Sequence, residues 1–122
     1  MMELYKEFKF EAAHFLPAVS EDHKCRNMHG HSYRFTIFVK GEINTQNGWV
    51  MDLDEIKQAV IPVINQLDHK VLNEIEGLQN PTVENLAVWL WSKIHASLPL
   101  LSKISIAETA TAGCTYEGKQ WH

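Results

Sequence analysis

Two runs of alternating polarity restrict the fold of this chain more than any other feature. In the first, Phe8, Phe10, Ala12 and His14 fall on one side of an extended backbone, with Lys9, Glu11 and Ala13 on the other. In the second, His31, Tyr33, Phe35, Ile37 and Val39 share one side. Ser32, Arg34, Thr36 and Lys40 share the other, with Phe38 as the exception. Side chains of a strand alternate with period two, so each run reads as a strand with one buried face. The spacing predicts strands over residues 4–15 and 31–42.

Histidines stand where the two runs approach each other in sequence. His14 is in phase with the apolar face of the first. His29 and His31 straddle Gly30 at the start of the second and project to one side if the backbone is extended. Two neighbouring antiparallel strands would bring all three together. Neutral imidazole is a common zinc ligand, and a catalytic zinc usually takes three protein ligands and keeps a fourth position open. His14, His29 and His31 are therefore candidate ligands of a Zn²⁺ ion. A His-x-His pair alone is a weak signal, since two polar strand residues read the same way. Cys25 lies four residues before His29, in the predicted loop 16–28 with Lys24 and Arg26. It is either a fourth, closing ligand or a reactive thiol beside the ion. Gly30 lets a metal or substrate approach the backbone.

The rest of the chain reads as two helices followed by two strands. Asn44, Asn47 and Gly48 mark a turn, and residues 49–51 are expected as a short strand paired in a hairpin with the second. Asp52 caps a helix over 53–67, buried through Ile56, Val60, Val63, Ile64 and Leu67. Pro62 should kink or interrupt it. Residues 68–81 read as a loop holding Asp68-His69. A second helix spans 82–98, with Thr82 as its cap and Trp89 and Trp91 as packing residues. A strand over 103–110 places Ile104, Ile106 and Glu108 on one face; a buried carboxylate there needs a partner. A final strand over 114–117 follows, and the tail from Gly118 is expected to fray. The reading is a single α+β domain over 1–122, a four-stranded antiparallel sheet with two helices on one face.

Composition bounds the function. With 15 acidic against 11 basic residues, the net charge is −4. That argues against nucleic acid as the main partner. No apolar run reaches the roughly 18 residues of a spanning helix, and the N-terminus lacks the apolar core of a signal peptide. A cytoplasmic address is expected, with no membrane partner, and with Cys25 and Cys114 as free thiols.

Taken together, the motifs resemble the 6-pyruvoyl-tetrahydropterin synthase family. They are Glu11-Ala12-Ala13-His14, Cys25 to His31, Leu67-Asp68-His69, Asn80-Pro81-Thr82 and Glu108-Thr109. They occur in order over nearly the whole chain, and jointly they are specific. The resemblance implies the tunnelling fold, in which subunits join through their sheets into an oligomeric barrel, a hexamer of two trimers with active sites between subunits. The three-residue gap between Cys25 and His29 and the closing Glu108 to Cys114 resemble the bacterial branch. That branch converts 7,8-dihydroneopterin triphosphate to 6-carboxy-5,6,7,8-tetrahydropterin, acetaldehyde and triphosphate for queuosine and other 7-deazaguanines.

The resemblance also implies roles. His14, His29 and His31 hold zinc. Cys25 is the general base, with Asp68 and His69 as its proton relay. Glu108 accepts two hydrogen bonds from the pterin ring, supported by Thr82 and Thr109, and Lys24 and Arg26 are the nearest cations for the triphosphate. The competing readings are triphosphate elimination without side-chain cleavage, as in the biopterin branch, and a non-catalytic structural zinc site closed by Cys25.

Overall fold

The computed structural model describes residues 1–118; the remainder of the tail expected to fray lies outside them. The two alternating runs form the longest strands, β1 (Met2–His14) and β2 (His29–Gly41). They pair antiparallel along their full length, Met2 opposite Gly41 and His14 opposite His29. Phe8, Phe10, Ala12, Tyr33, Phe35, Ile37 and Val39 are buried on one face. Helix α1 (Leu53–Leu67) starts at Asp52, whose carboxylate accepts the Asp54 N–H at 2.9 Å. It buries Ile56, Val60, Val63 and Leu67. Helix α2 (Val83–Ile94) starts at Thr82, whose hydroxyl accepts the Asn85 N–H, and buries Leu86, Ala87, Trp89, Leu90 and Ile94. Both helices join the buried sheet face in one core. Burying a side chain such as Phe35 or Leu90 contributes about 1.5–3 kcal/mol.

Two further antiparallel strands complete the expected four, β4 (Leu101–Ala107) on β2 and β5 (Gly113–Tyr116) on β4. A fifth is added where a loop is expected. The two-residue β3 (Lys70–Val71) pairs parallel with Ala12 and Ala13. The sheet is therefore mixed and open, in the order β3-β1-β2-β4-β5.

Three local expectations are corrected. Residues 49–51 form no strand; the Asn44 N–H donates to the Trp49 carbonyl and the Gly48 N–H to the Asn44 carbonyl, so the loop meets its own backbone needs. Helix α1 runs through Pro62 without interruption. Pro62 lies on the exposed face, where water can satisfy the carbonyl that loses its partner. Strand β4 ends at Ala107, so Glu108 follows it in a bend closed by Glu108 and Thr109 N–H donation to the Ala112 carbonyl.

Candidate metal centre and its surroundings

The antiparallel register builds the centre. His14 lies directly opposite His29, and His31 follows two residues along β2 on the same face. Their ring centroids are 4.6, 5.0 and 4.9 Å apart, all edge-to-face. One ligand atom from each lies within 4.8 Å of the others, and Cys25 is outside that cluster.

Hydrogen bonds aim two of the rings. His14 Nδ1 is 2.8 Å from the Pro81 carbonyl, with the Tyr33 hydroxyl at 3.3 Å. His29 Nδ1 is 2.7 Å from the Asn27 carbonyl. A carbonyl only accepts, so each Nδ1 carries the proton and each Nε2 keeps its lone pair. Second-partner bonds of this kind orient metal-ligating histidines. Burial lowers the pKa of His14 and of His31, against the raising effects of the Pro81 bond on His14 and of Glu108 on both. His14 is 1% exposed, yet its Nε2 and that of His31 have no hydrogen-bond partner. Orphaned buried nitrogens are costly unless something occupies the space between them. Three converging imidazoles suit zinc, and also iron, nickel or copper; the donor set fits a metal ion.

Glu108 reaches this centre from beyond β4. Its Oε1 is 3.3 Å from His14 Nε2 and 3.4 Å from His31 Nε2. Neither contact has hydrogen-bond alignment, consistent with the orphaned nitrogens.

Asp68 and His69 lie at the end of α1, tied to β1 three residues before His14. The Glu11 N–H donates to Asp68 Oδ1 at 2.9 Å, and the His69 N–H donates to the Glu11 carbonyl at 2.6 Å. The bond from Glu11 holds the Asp68 carboxyl below its ordinary range. His69 takes φ of 60°, the left-handed conformation that lets adjacent side chains meet, and Asp68 Oδ2 lies 3.0 Å from its Nδ1. His69 shares an open cleft of about 480 Å³ with Ala12, Gly30, His31, Ser32 and Lys70.

The remaining expected residues sit further out. Cys25 and Lys24 are in a single 3-10 turn, Lys24–Arg26, pinned to the end of β1 by Leu16 N–H donation to the Cys25 carbonyl at 2.7 Å. Arg26 is engaged with the Val19 carbonyl. Thr109 lies in the bend after β4, and the Thr82 hydroxyl caps α2. Both cysteines are free. The orienting roles of Tyr33, Asn27, Glu11 and the Pro81 carbonyl are additions from the structure. In the sequence Tyr33 shows only as a strand residue in phase with His31, and Glu11, Asn27 and Pro81 only as members of the family motifs.

The chain belongs to the 6-pyruvoyl tetrahydropterin synthase family, whose sequence model matches residues 3–119. It is 39% identical to the 6-carboxy-5,6,7,8-tetrahydropterin synthase of Synechocystis, over 95% of this chain and 93% of that protein. It is 37% identical to a dihydroneopterin monophosphate aldolase of Pyrococcus furiosus, over 88% and 90% of the two chains. The structure of Caenorhabditis elegans 6-pyruvoyl tetrahydropterin synthase superposes with a TM-score of 0.90 at 28% identity, covering 97% of this chain and 96% of that one. The fold is the tunnelling fold. Among the described residues, no helix is long and apolar enough to cross a membrane.

Proposed function

We propose that this protein converts 7,8-dihydroneopterin triphosphate to 6-carboxy-5,6,7,8-tetrahydropterin, acetaldehyde and triphosphate in 7-deazaguanine biosynthesis, with zinc held by His14, His29 and His31. The observation that carries this reading is the trio itself, one ligand atom from each converging at the end of β1 and β2, with the Nε2 atoms of His14 and His31 buried and unpartnered. A bound zinc would supply Lewis acidity to the hydroxyl and carbonyl oxygens of the substrate side chain.

The chain's own groups divide the remaining work. The Glu108 carboxylate accepts the 2-amino and adjacent ring N–H of the pterin, a two-point match that fixes which carbon faces the histidines. Thr82 and Thr109 support the ring. The Cys25 thiolate removes a proton from the side chain. Asp68 holds His69 in the Nδ1–H tautomer, so that Nε2 passes protons to and from solvent. Lys24 meets the triphosphate.

His69 is 78% exposed in the single chain, which fits a site completed by a neighbouring subunit. The proposed assembly is a hexamer of two trimers, working in the cytoplasm. The position of Cys25 outside the ligand cluster favours an open site over a closed structural one.

The Pyrococcus relative gives a second reading, retro-aldol cleavage of the same side chain. Product analysis with 7,8-dihydroneopterin triphosphate, and in parallel the monophosphate, separates them. Acetaldehyde with 6-carboxytetrahydropterin is the expected result. Triphosphate release without acetaldehyde would move the protein to the biopterin-like branch, and glycolaldehyde phosphate from the monophosphate would make it an aldolase.

A further inference from the structure

Glu108 has one position too many for a pure substrate anchor. Its Oε1 lies 3.3 Å and 3.4 Å from the two orphaned Nε2 atoms of His14 and His31. A carboxylate facing the lone pair that the Pro81 bond leaves on His14 Nε2 is repulsive unless a proton or cation lies between them. A tetrahedral ion with bonds of about 2.0–2.1 Å sets its ligand atoms about 3.3–3.4 Å apart. Oε1 therefore already stands at the distance of a fourth ligand from two of the three histidines. The bend that carries Glu108, closed by the bonds to the Ala112 carbonyl, follows the end of a strand and is not held in a ladder.

We propose that Glu108 is a fourth metal ligand in the substrate-free enzyme and exchanges the metal for the pterin ring when substrate binds. This rests on the zinc and pterin assignments made above. One carboxylate cannot serve both partners fully. While it faces the ion it occupies the position that substrate oxygens need, and it keeps stray anions off the metal. A ring presenting an amino group beside an N–H offers that carboxylate two donors and draws it away. The open metal position is thus created by the correct ring, which ties specificity for the pterin edge to access for the side chain. The consequence is thermodynamic as well as kinetic. If the ring and the metal compete for Glu108, each weakens the binding of the other by the same factor.

The test measures zinc affinity by competition with a chromophoric chelator. It uses the wild-type chain, Glu108→Gln and Glu108→Asp, each with and without 7,8-dihydropterin, which has the ring edge but no side-chain hydroxyls. The expected result is a loss of at least about tenfold in zinc affinity for Glu108→Gln, the scale seen on removing even an outer-shell partner, with Glu108→Asp in between. Dihydropterin should weaken zinc binding to the wild type and leave Glu108→Gln unchanged. The visible spectra of the cobalt-substituted wild type and Glu108→Gln should differ. Equal affinities and identical cobalt spectra would overturn the fourth-ligand role while leaving the three-histidine site standing. Tighter zinc binding with dihydropterin would overturn the exchange. Absence of zinc binding to any of the three proteins would instead remove the metal assignment on which both readings depend.

Discussion

His14 Nδ1 and the carbonyl of Pro81 are 2.8 Å apart, joining residues 67 positions distant in sequence. The next residue, Thr82, caps α2 through the Asn85 N–H. One local structure thus starts a helix and aims a candidate metal ligand.

Thr82→Ala should therefore act on both. Losing an N-cap costs about 1 kcal/mol, a fall in Tm of about 4 °C for a domain of this size. Zinc affinity should fall as well, because the Pro81 carbonyl loses its fixed position. Thermal melting and a chelator competition check this; an unchanged Tm would remove the cap from the account.

Cys25→Ala should keep zinc and fold but lower kcat by about 10²–10⁴-fold, the range for a general base. Metal analysis beside steady-state kinetics checks it. Loss of zinc in this variant would return Cys25 to the ligands.

His69 carries strain that its substitutions can report. At φ of 60°, a residue with a Cβ pays a cost that glycine avoids. Both His69→Ala and His69→Gly should lose most turnover, with His69→Gly the more stable by about 1 kcal/mol or more. Denaturant unfolding of the pair checks it, and equal stability would contradict the left-handed backbone.

The metal-free protein should lose stability on acidification. Burial holds His14 and His31 below their ordinary value of 6.5. The unfolded chain then binds protons on these side chains at a higher pH than the folded chain does. Their contribution is present above about pH 6.5 and is lost as pH falls through it. Melting of chelator-treated protein between about pH 7.5 and 5.5 should show Tm falling; a flat or rising profile would contradict the burial of neutral imidazoles.

What could be read from the sequence follows from how local each signal is. Period two fixed the faces of β1 and β2, and with them the common side of His14, His29 and His31. The caps Asp52 and Thr82 were readable because an N-cap bond spans two or three residues. Strand β3 was not, because distant residues of β1 order it: Glu11 clamps Asp68 and His69, and Ala12 and Ala13 pair with Lys70 and Val71. The Glu108 side chain was predicted to share a face with Ile104 and Ile106. Its approach to His14 and His31 depends on the bend after Ala107, which alternation does not encode. The short strand expected at 49–51 failed because the loop from Asn44 bonds to itself.

In the proposed function, turnover depends on one zinc ion held by His14, His29 and His31. The most direct measurement titrates zinc into chelator-stripped protein while following conversion of 7,8-dihydroneopterin triphosphate. Negligible turnover at the start, a linear rise, and saturation at one zinc per chain are expected. Full turnover in the stripped protein would contradict the dependence on zinc.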